Sequence, residues 1–261
     1  MAEKSAARIA GLARTLDEAQ RNARPVAQIS TEKKPVALAD AYAIQAASIA
    51  RRLRRGERRS GAKLGFTSRA KAAQMGVFDV IYGRLTDAML LPDGGMVDLA
   101  RFIHPRVEPE VAFLLEKPLR HPVSPAEAWA AVGGVAPALE IIDSRYENFK
   151  FSLADVVADN CSGAGYVLGQ WHAPTVDISN LGMVLELDGR AVEISSSAAI
   201  LGHPARSLVE AARFAAETGD RLEAGFVVMA GGATAAAALK PGAAVRVTVQ
   251  HLGEAGFRCK A

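Results

Sequence analysis

The chain has 261 residues, half of them hydrophobic, which suffices for one large domain or for a domain with an appendage. Its formal charge of +3 is small for this length and does not predict a nucleic acid as partner. No apolar run could span a membrane or serve as a signal peptide, and the two cysteines, Cys161 and Cys259, fit no zinc-binding spacing, so we expect a cytoplasmic protein with free thiols.

The first 60 residues are predicted to form a helical N-terminal region. Apolar residues recur at helical spacing from Ala6 to Ala23, and a second helix is predicted from Ala37 to Arg55, after a linker around Pro25 to Pro35. The second helix ends in a cluster of arginines, which suits the negative end of a helix dipole. Because no aromatic residues alternate with these arginines, nucleic-acid binding is not the favoured interpretation.

Residues 61–261 are predicted to form a β-rich catalytic domain. A short strand from Gly61 to Thr67 precedes a helix that Ser68 caps and Gly76 ends. The sequence Ser124-Pro125-Ala126-Glu127 is a capping box, which predicts a helix to about Val132. Asp188-Gly189 predicts a hairpin between strands 183–187 and 191–195. A helix from Pro204 to Glu217 and a strand from Phe226 to Met229 follow, so the pattern predicts an α+β fold with an irregular sheet or barrel.

Two acidic strands are the most informative part of the sequence. Glu108 and Glu110 lie two residues apart in the predicted strand from Arg106 to Leu115, so they project from the same face. An isolated pair of this kind is more often a solvated sheet face. If Glu140, in the predicted strand 138–143, joins them, the three carboxylates form an oxygen site suited to Mg²⁺ or Mn²⁺. Pro109 cannot donate to a β-ladder, which predicts that its strand is an edge, is bulged, or ends there.

Three further stretches carry residue types that could do chemistry. Lys63 lies among small and apolar residues, where burial would suit it for proton transfer, although its stem could also carry the ammonium to water. The loop 159–163 offers several hydrogen-bonding groups, but no Gly-x-Ser-x-Gly elbow frames Ser162 as a nucleophile. The backbone N–H groups of the stretch 231–234 are predicted to be open to an anion, and on this basis Gly232 and Thr234 are candidate substrate-binding residues.

Taken together, these motifs resemble the hydratase/decarboxylase branch of the fumarylacetoacetate hydrolase superfamily over nearly the whole chain. The resemblance rests on six stretches in the same order: Lys63-Leu64-Gly65-Phe66-Thr67-Ser68, Arg106-Val107-Glu108-Pro109-Glu110, the run from Ala138 to Tyr146, Asp159-Asn160-Cys161-Ser162, Leu201-Gly202-His203-Pro204 and the run from Gly231 to Ala236. It implies a mixed, distorted β-roll or barrel with peripheral helices. It also implies a divalent metal, Mg²⁺ or Mn²⁺, held by Glu108, Glu110 and Glu140, with Lys63 and Ser162 beside the substrate. Pro109 is a departure, because the family commonly has alanine there.

Within that branch, the segments 70–83 and 142–151 resemble the decarboxylases of 2-oxo-3-hexenedioate, also called 4-oxalocrotonate. Related hydratases typically carry an aspartate where this chain has Ile81, and an isoleucine cannot activate water. The resemblance therefore predicts loss of CO2 to give 2-oxopent-4-enoate in a catechol meta-cleavage pathway, with Ile81 in an apolar wall beside the substrate. The alternatives are a 2-oxopent-4-enoate hydratase, an acylpyruvate hydrolase, and a non-catalytic partner subunit of a hydratase. The resemblance further implies an oligomer and a complex with the pathway's hydratase.

Overall fold

A computed structural model of the protein describes residues 2–68 and 79–261, over which the chain forms five α-helices and thirteen strands. The helices are α1 (Ala2–Arg21), α2 (Leu38–Arg54), α3 (Pro125–Trp129), α4 (Leu153–Ala158) and α5 (Arg206–Glu217). The strands are β1 (Arg59–Gly65), β2 (Ile81–Thr86), β3 (Leu90–Leu91), β4 (Met96–Val97), β5 (Arg106–Leu115), β6 (Val132–Ile142), β7 (Gly163–Leu168), β8 (Gly182–Leu187), β9 (Arg190–Ser196), β10 (Val227–Met229), β11 (Ala237–Ala238), β12 (Ala244–Val249) and β13 (Gly253–Cys259).

An eight-stranded sheet forms the centre of the molecule. Its strands follow the order β2-β1-β10-β5-β6-β7-β3, and β11 also pairs with β5. The pairs β1/β10 and β3/β7 are parallel and the others are antiparallel, so the sheet is mixed. Both faces of β5 and β6 are largely buried, which places these two long strands in the interior. The predicted α+β class with a mixed, irregular sheet is confirmed.

A second sheet of five strands, in the order β4-β13-β12-β8-β9, packs against the first. Its β8–β9 hairpin turns at Asp188 and Gly189, both with positive φ, as the dipeptide predicts. In β12, Val245, Val247 and Val249 are buried while the residues between them are exposed. This alternation directs one face to the common core and the other to solvent.

The predicted N-terminal helices are present and do not form a separate core. Ala13 and Leu16 of α1 and Ile44 of α2 share a buried cluster with Ile81 and Tyr146 of the β-rich part. None of the helices in the described ranges is long and apolar enough to cross a bilayer. The division into a helical region before residue 61 and a catalytic part after it stays a prediction.

Two predictions of local structure need correction, and a third lies outside the described residues. Strand β5 neither ends nor bulges at Pro109, and it is not an edge: Pro109 pairs with Leu139, and the N–H of Ala233 donates to the Pro109 carbonyl. The segment beyond β10 pairs irregularly there, so it tolerates a residue without an N–H. Helix α3 ends at Trp129, because β6 already begins at Val132. The predicted helix from Ser68 to Met75 falls almost entirely on the undescribed residues 69–78.

Candidate functional site

The β5–β6 ladder brings the three predicted carboxylates together. Glu108 lies directly opposite Glu140 in the register of the two strands. Glu110 lies two residues farther along β5 and therefore on the same face. One carboxylate oxygen from each residue lies within 4.8 Å of the others, and we call Glu108, Glu110 and Glu140 the carboxylate triad. Glu140 joins the other two because of the register between β5 and β6, which the alternation within a single strand does not determine.

Burial makes the triad costly unless a cation meets it. Glu110 and Glu140 are buried and Glu108 is half-buried. Burial first, and the charge of neighbouring glutamates as well, raise the pKa of Glu110 well above its usual value, and burial likewise raises the pKa of Glu140. The Oε1 atoms of Glu110 and Glu140 accept no hydrogen bond within the described ranges. A compact set of carboxylate oxygens with unused acceptors fits a hard divalent cation such as Mg²⁺ or Mn²⁺.

Lys63 enters the site from β1. It is buried, with its Nζ 3.0 Å from Glu140 Oε2 and donating to the Cys161 carbonyl at 3.1 Å. Burial alone lowers the pKa of Lys63, but the adjacent carboxylate of Glu140 and its neighbours outweigh burial, so the net direction is upward. The side chain passes over Gly83 of β2, where an added Cβ would lie 2.8 Å from Lys63 Cδ. Lys63 is therefore a buried, charged side chain held beside the triad, and not a lysine that extends to water.

The loop 159–163 adopts an unusual backbone at the site. Asn160, Cys161 and Ser162 have consecutive positive φ values of 49°, 53° and 58°, which are uncommon for residues other than glycine. The Asn160 side chain fixes this turn, because its Oδ1 accepts from the Arg84 N–H and its Nδ2 donates to the Arg84 carbonyl. The turn presents the Cys161 carbonyl to Lys63. It also leaves the Ser162 hydroxyl buried without a hydrogen-bond partner among the described residues.

A cavity of about 330 Å³ opens beside these groups. Its wall includes five of the residues predicted from sequence, namely Lys63, Ile81, Glu108, Ser162 and Gly232. Aromatic and aliphatic side chains form much of the rest, among them Phe66, Phe149, Phe151 and Val156. The cavity thus combines the Glu108 carboxylate and the Lys63 ammonium with a largely apolar wall.

The glycine-rich stretch 231–234 contacts the carboxylates of the triad, and two of its N–H groups are not open to an anion. The Gly231 N–H donates to Glu110 Oε2 at 2.7 Å, and the Ala233 N–H is also taken, so the prediction that these N–H groups are open is wrong for both. A Cβ on Gly232 would lie 2.0 Å from Glu108 Oε2, so only glycine lets this backbone lie against the carboxylate. Thr234 lies outside the cavity wall that the described residues form, and its hydroxyl donates to the Ala235 carbonyl.

Four residues that contribute to the site were not predicted from the sequence. Asn160 is one of several polar residues in its loop, and the nearby sequence does not indicate that its side chain binds the backbone of Arg84. Phe149 and Phe151 come from a segment of mixed composition whose folding over the cavity depends on tertiary packing. Arg106, by contrast, could have been found, because the alternation that pairs Glu108 with Glu110 also places Arg106 on their face.

Comparison with known proteins agrees with this geometry. The family model described as "Fumarylacetoacetate (FAA) hydrolase C-terminal" matches residues 53–259. The chain is 56% identical to a 4-oxalocrotonate decarboxylase of a Pseudomonas species over 250 residues, which cover 96% of this chain and 97% of that protein. It is 34% identical to the 2-keto-4-pentenoate hydratase of Paraburkholderia xenovorans LB400, with 92% and 91% of the two chains covered.

A solved structure shows the same similarity in three dimensions. The 4-oxalocrotonate decarboxylase of Pseudomonas putida G7, solved in complex with magnesium and adipate, superimposes with a TM-score of 0.93 at 39% sequence identity. The match covers 97% of each chain. The likeness therefore extends over the helical N-terminal region as well as the sheets.

Proposed function

The chain belongs to the fumarylacetoacetate hydrolase family, and we propose that it is a divalent-metal-dependent carboxy-lyase that converts 4-oxalocrotonate into 2-oxopent-4-enoate and CO2. The observation that carries the proposal is the convergence of Glu108, Glu110 and Glu140 beside Lys63, with Glu108 and Lys63 lining one cavity. The 56% identity to a decarboxylase of this substrate, against 34% to a hydratase, supports the choice of reaction.

The carboxylate triad would hold the metal. The unused Oε1 acceptors of Glu110 and Glu140 and the raised pKa values of these two residues describe a site that a cation would stabilise. The related Pseudomonas putida G7 enzyme was solved with magnesium and, separately, with calcium, both of which take oxygen ligands. The metal, when bound, supplies Lewis acidity at the 2-oxo acid end of the substrate.

The substrate is a small 2-oxo dicarboxylic acid. The related enzyme's ligand, adipate, is a six-carbon diacid, and the cavity of about 330 Å³ has room for a molecule of that class. The carboxylate remote from the 2-oxo group is a vinylogous β-keto acid. When its bond to the chain breaks, CO2 leaves and the electron pair passes through the conjugated carbons to the keto oxygen, which gives a dienolate.

Lys63 is proposed as the proton donor and Ser162 as an orienting group. The ion pair with Glu140 and the hydrogen bond to Cys161 keep the Lys63 ammonium charged and aimed into the site. Transfer of its proton to C3 of the dienolate gives 2-oxopent-4-enoate. The Ser162 hydroxyl lines the cavity and has an unused hydrogen-bonding capacity within the described part of the chain.

Ile81 supports decarboxylation over hydration. Its side chain is buried and lies in the cavity wall, near the apolar Phe66 and Val156. No titratable group stands at that position to activate a water molecule. The apolar wall also keeps water away from the conjugated carbons of the substrate, which favours loss of CO2 over addition of water.

The reaction class is tested by incubating the protein with 4-oxalocrotonate and Mg²⁺ while CO2 release and water addition are followed separately. We expect stoichiometric CO2 and no hydrated product. Ile81→Asp, which puts a carboxylate in the apolar wall, should slow CO2 release, while the matched Ile81→Leu should retain most of it. Water addition to 2-oxopent-4-enoate by the purified chain would make it the sibling hydratase, and absence of both reactions would favour a non-catalytic subunit.

The setting of the enzyme is part of the same proposal. Both cysteines are free and buried, which is consistent with a reducing, cytoplasmic location. The dienol tautomer of 2-oxopent-4-enoate is unstable in water, so direct transfer to a hydratase in a complex would protect it. Co-elution of the two proteins in size-exclusion chromatography, with the mass of each species measured by light scattering, tests this association and the oligomeric state of the chain alone.

A further inference from the structure

The cavity wall contains a second cation that the proposed chemistry does not use. Among the described residues that line it, Lys63 and Arg106 are the basic ones. Lys63 is buried and committed to Glu140 and the Cys161 carbonyl. Arg106 is exposed, and its guanidinium makes no ion pair and no hydrogen bond within residues 2–68 and 79–261. Of the two basic residues in the described lining, Arg106 is the one available to an incoming anion.

The position of Arg106 follows from the strand that carries the triad. Arg106, Glu108 and Glu110 alternate along β5 and share one face of the sheet. At about 3.4 Å per residue, Arg106 lies about 7 Å along the strand from Glu108, on the side away from buried Glu110. An extended six-carbon diacid with one end at the triad is long enough to span this distance, and Glu108 and Arg106 line the same cavity. A basic residue at this spacing matches the remote end of such a molecule.

The Arg106 guanidinium stacks on the ring of Phe149, a residue whose backbone has an unfavourable conformation. The Arg106 Cζ lies 4.6 Å from the centre of the Phe149 ring, within the range of a cation–π contact. Phe149 and its neighbour Asn148 both have positive φ, 58° and 57°, and a bulky residue in that region is a genuine outlier. Such strain persists where the surrounding structure enforces it, often at ligand sites. Here it places a flat apolar surface beneath the planar Arg106 head.

We propose that Arg106, stacked on Phe149, is the specificity residue that binds the remote carboxylate of the substrate and so selects dicarboxylic over monocarboxylic 2-oxo acids. This inference rests on the proposed function. A planar guanidinium offers a carboxylate two parallel hydrogen bonds, which a monocarboxylic acid of the same length cannot use. Because that carboxylate leaves as CO2, the contact exists before the reaction and is lost in the product, which assists product release.

If Arg106 binds the remote carboxylate, its substitution should affect KM and kcat differently. A guanidinium on the leaving carboxylate stabilises the bound substrate more than the transition state, so its removal should raise KM and leave kcat unchanged or higher. A residue with only a structural role would lower kcat together with binding. The steady-state parameters of Arg106→Gln on 4-oxalocrotonate therefore distinguish the two roles.

A matched pair of ligands gives the sharpest test without relying on turnover. Isothermal titration calorimetry in the presence of Mg²⁺ would compare 2-oxohexanedioate with 2-oxohexanoate, which differ only in the remote carboxylate. We expect Arg106→Gln to weaken the diacid by about 10-fold or more, the range for a hydrogen bond to a charged group, and to change the monoacid by less than about twofold. Arg106→Lys, which keeps the charge without the planar fork, should fall between.

Arg101→Gln is the matched control, because Arg101 is exposed, lies five residues before Arg106 and borders a different pocket. It should leave both affinities unchanged. Equal weakening of both ligands by Arg106→Gln, or no change in either, would overturn the assignment. If the wild-type chain with Mg²⁺ bound neither acid, the proposed function itself would be wrong, so the two failures are distinguishable.

Discussion

The two sheets of this protein treat their charged residues in opposite ways. In the five-stranded sheet, Arg246 of β12 lies on the solvent face and pairs with Glu186 and Glu254 across neighbouring strands. In the eight-stranded sheet, Glu110 and Glu140 are buried in strands covered on both faces. Glutamates thus form ion pairs on the solvent face of the smaller sheet, whereas in the larger sheet they are buried.

The difference shows which charges need a functional explanation. Removing a carboxylate from water costs several kcal/mol per ion even after the structure relaxes. Exposed pairs such as Arg246–Glu186 carry no such penalty, and alternation along a strand explains them fully. Alternation does not explain a cluster of three carboxylates, two of them fully buried, beside one lysine, whereas the proposed metal ion would.

The largest expected effect comes from comparing the variants Glu140→Gln and Glu186→Gln, each of which removes a glutamate charge from one of the two sheets. Loss of one triad oxygen and its charge should reduce CO2 release by on the order of 10³-fold, since metal assistance contributes several kcal/mol to such reactions. Glu186→Gln removes a glutamate from the other sheet and should leave the rate within about twofold. Initial rates at saturating Mg²⁺ measure both, and similar losses in the two variants would show that burial is not what separates the sheets.

Gly232→Ala tests whether the glycine-rich stretch exists to make room for Glu108. An added Cβ, 2.0 Å from Glu108 Oε2, must displace that carboxylate. We expect the affinity for Mn²⁺ to fall by on the order of 10- to 100-fold, as for other changes that reorient a ligand. Gly182→Ala, in β8 of the smaller sheet, is the control because its nearest neighbour is a side-chain atom at 3.6 Å. Unchanged Mn²⁺ binding in Gly232→Ala would refute the clearance role.

Asn160→Ala should release the left-handed turn that faces Lys63. The variant loses two hydrogen bonds to the Arg84 backbone and leaves those groups unpaired, which we expect to lower stability by about 1–3 kcal/mol. It should also lower kcat with little effect on KM, because Lys63 is positioned by the Cys161 carbonyl. Urea unfolding and steady-state kinetics measure the two effects. Asn180→Ala, near the smaller sheet, should alter neither, and a normal kcat in Asn160→Ala would exclude a positioning role.

Glu110→Gln should separate stability from activity in the metal-free protein. Burial raises the pKa of Glu110 above its value in the unfolded chain, so the folded protein holds an extra proton between those two pKa values. Stability therefore falls as the pH rises through this range. Glu110→Gln removes that loss, so its melting temperature without metal should depend less on pH and should equal or exceed the wild type at neutral pH. A strongly destabilised metal-free variant would contradict the account of the buried charge.

Much of this architecture could be predicted from the sequence, because its determinants are local. Residues that are neighbours in sequence determine three of its features: the capping box at Ser124, the Asp188-Gly189 hairpin and the alternating burial of β12. The strand register that sets Glu108 opposite Glu140 is not local, and only the resemblance to a known family supplied it before the structure did.

The errors have the same origin. Pro109 suggested an edge or a break, but the irregular segment after β10 accommodates it in an interior strand. The N–H groups of Gly231 and Ala233 appeared open because their acceptors, Glu110 and the Pro109 carbonyl, are distant in sequence. Residues that hold a strained turn, such as Asn160, are identified only when the partner backbone is known.

The central claim is that the buried carboxylate triad is a divalent-metal centre on which decarboxylation depends. The most direct test measures CO2 release from 4-oxalocrotonate by metal-depleted protein, before and after Mg²⁺ or Mn²⁺ is restored, in parallel for wild type and Glu110→Gln. We expect no release without metal, full recovery with about one ion per wild-type chain, and no recovery in Glu110→Gln. Undiminished CO2 release by the metal-depleted chain, or by Glu110→Gln, would contradict a metal-dependent reaction at the triad.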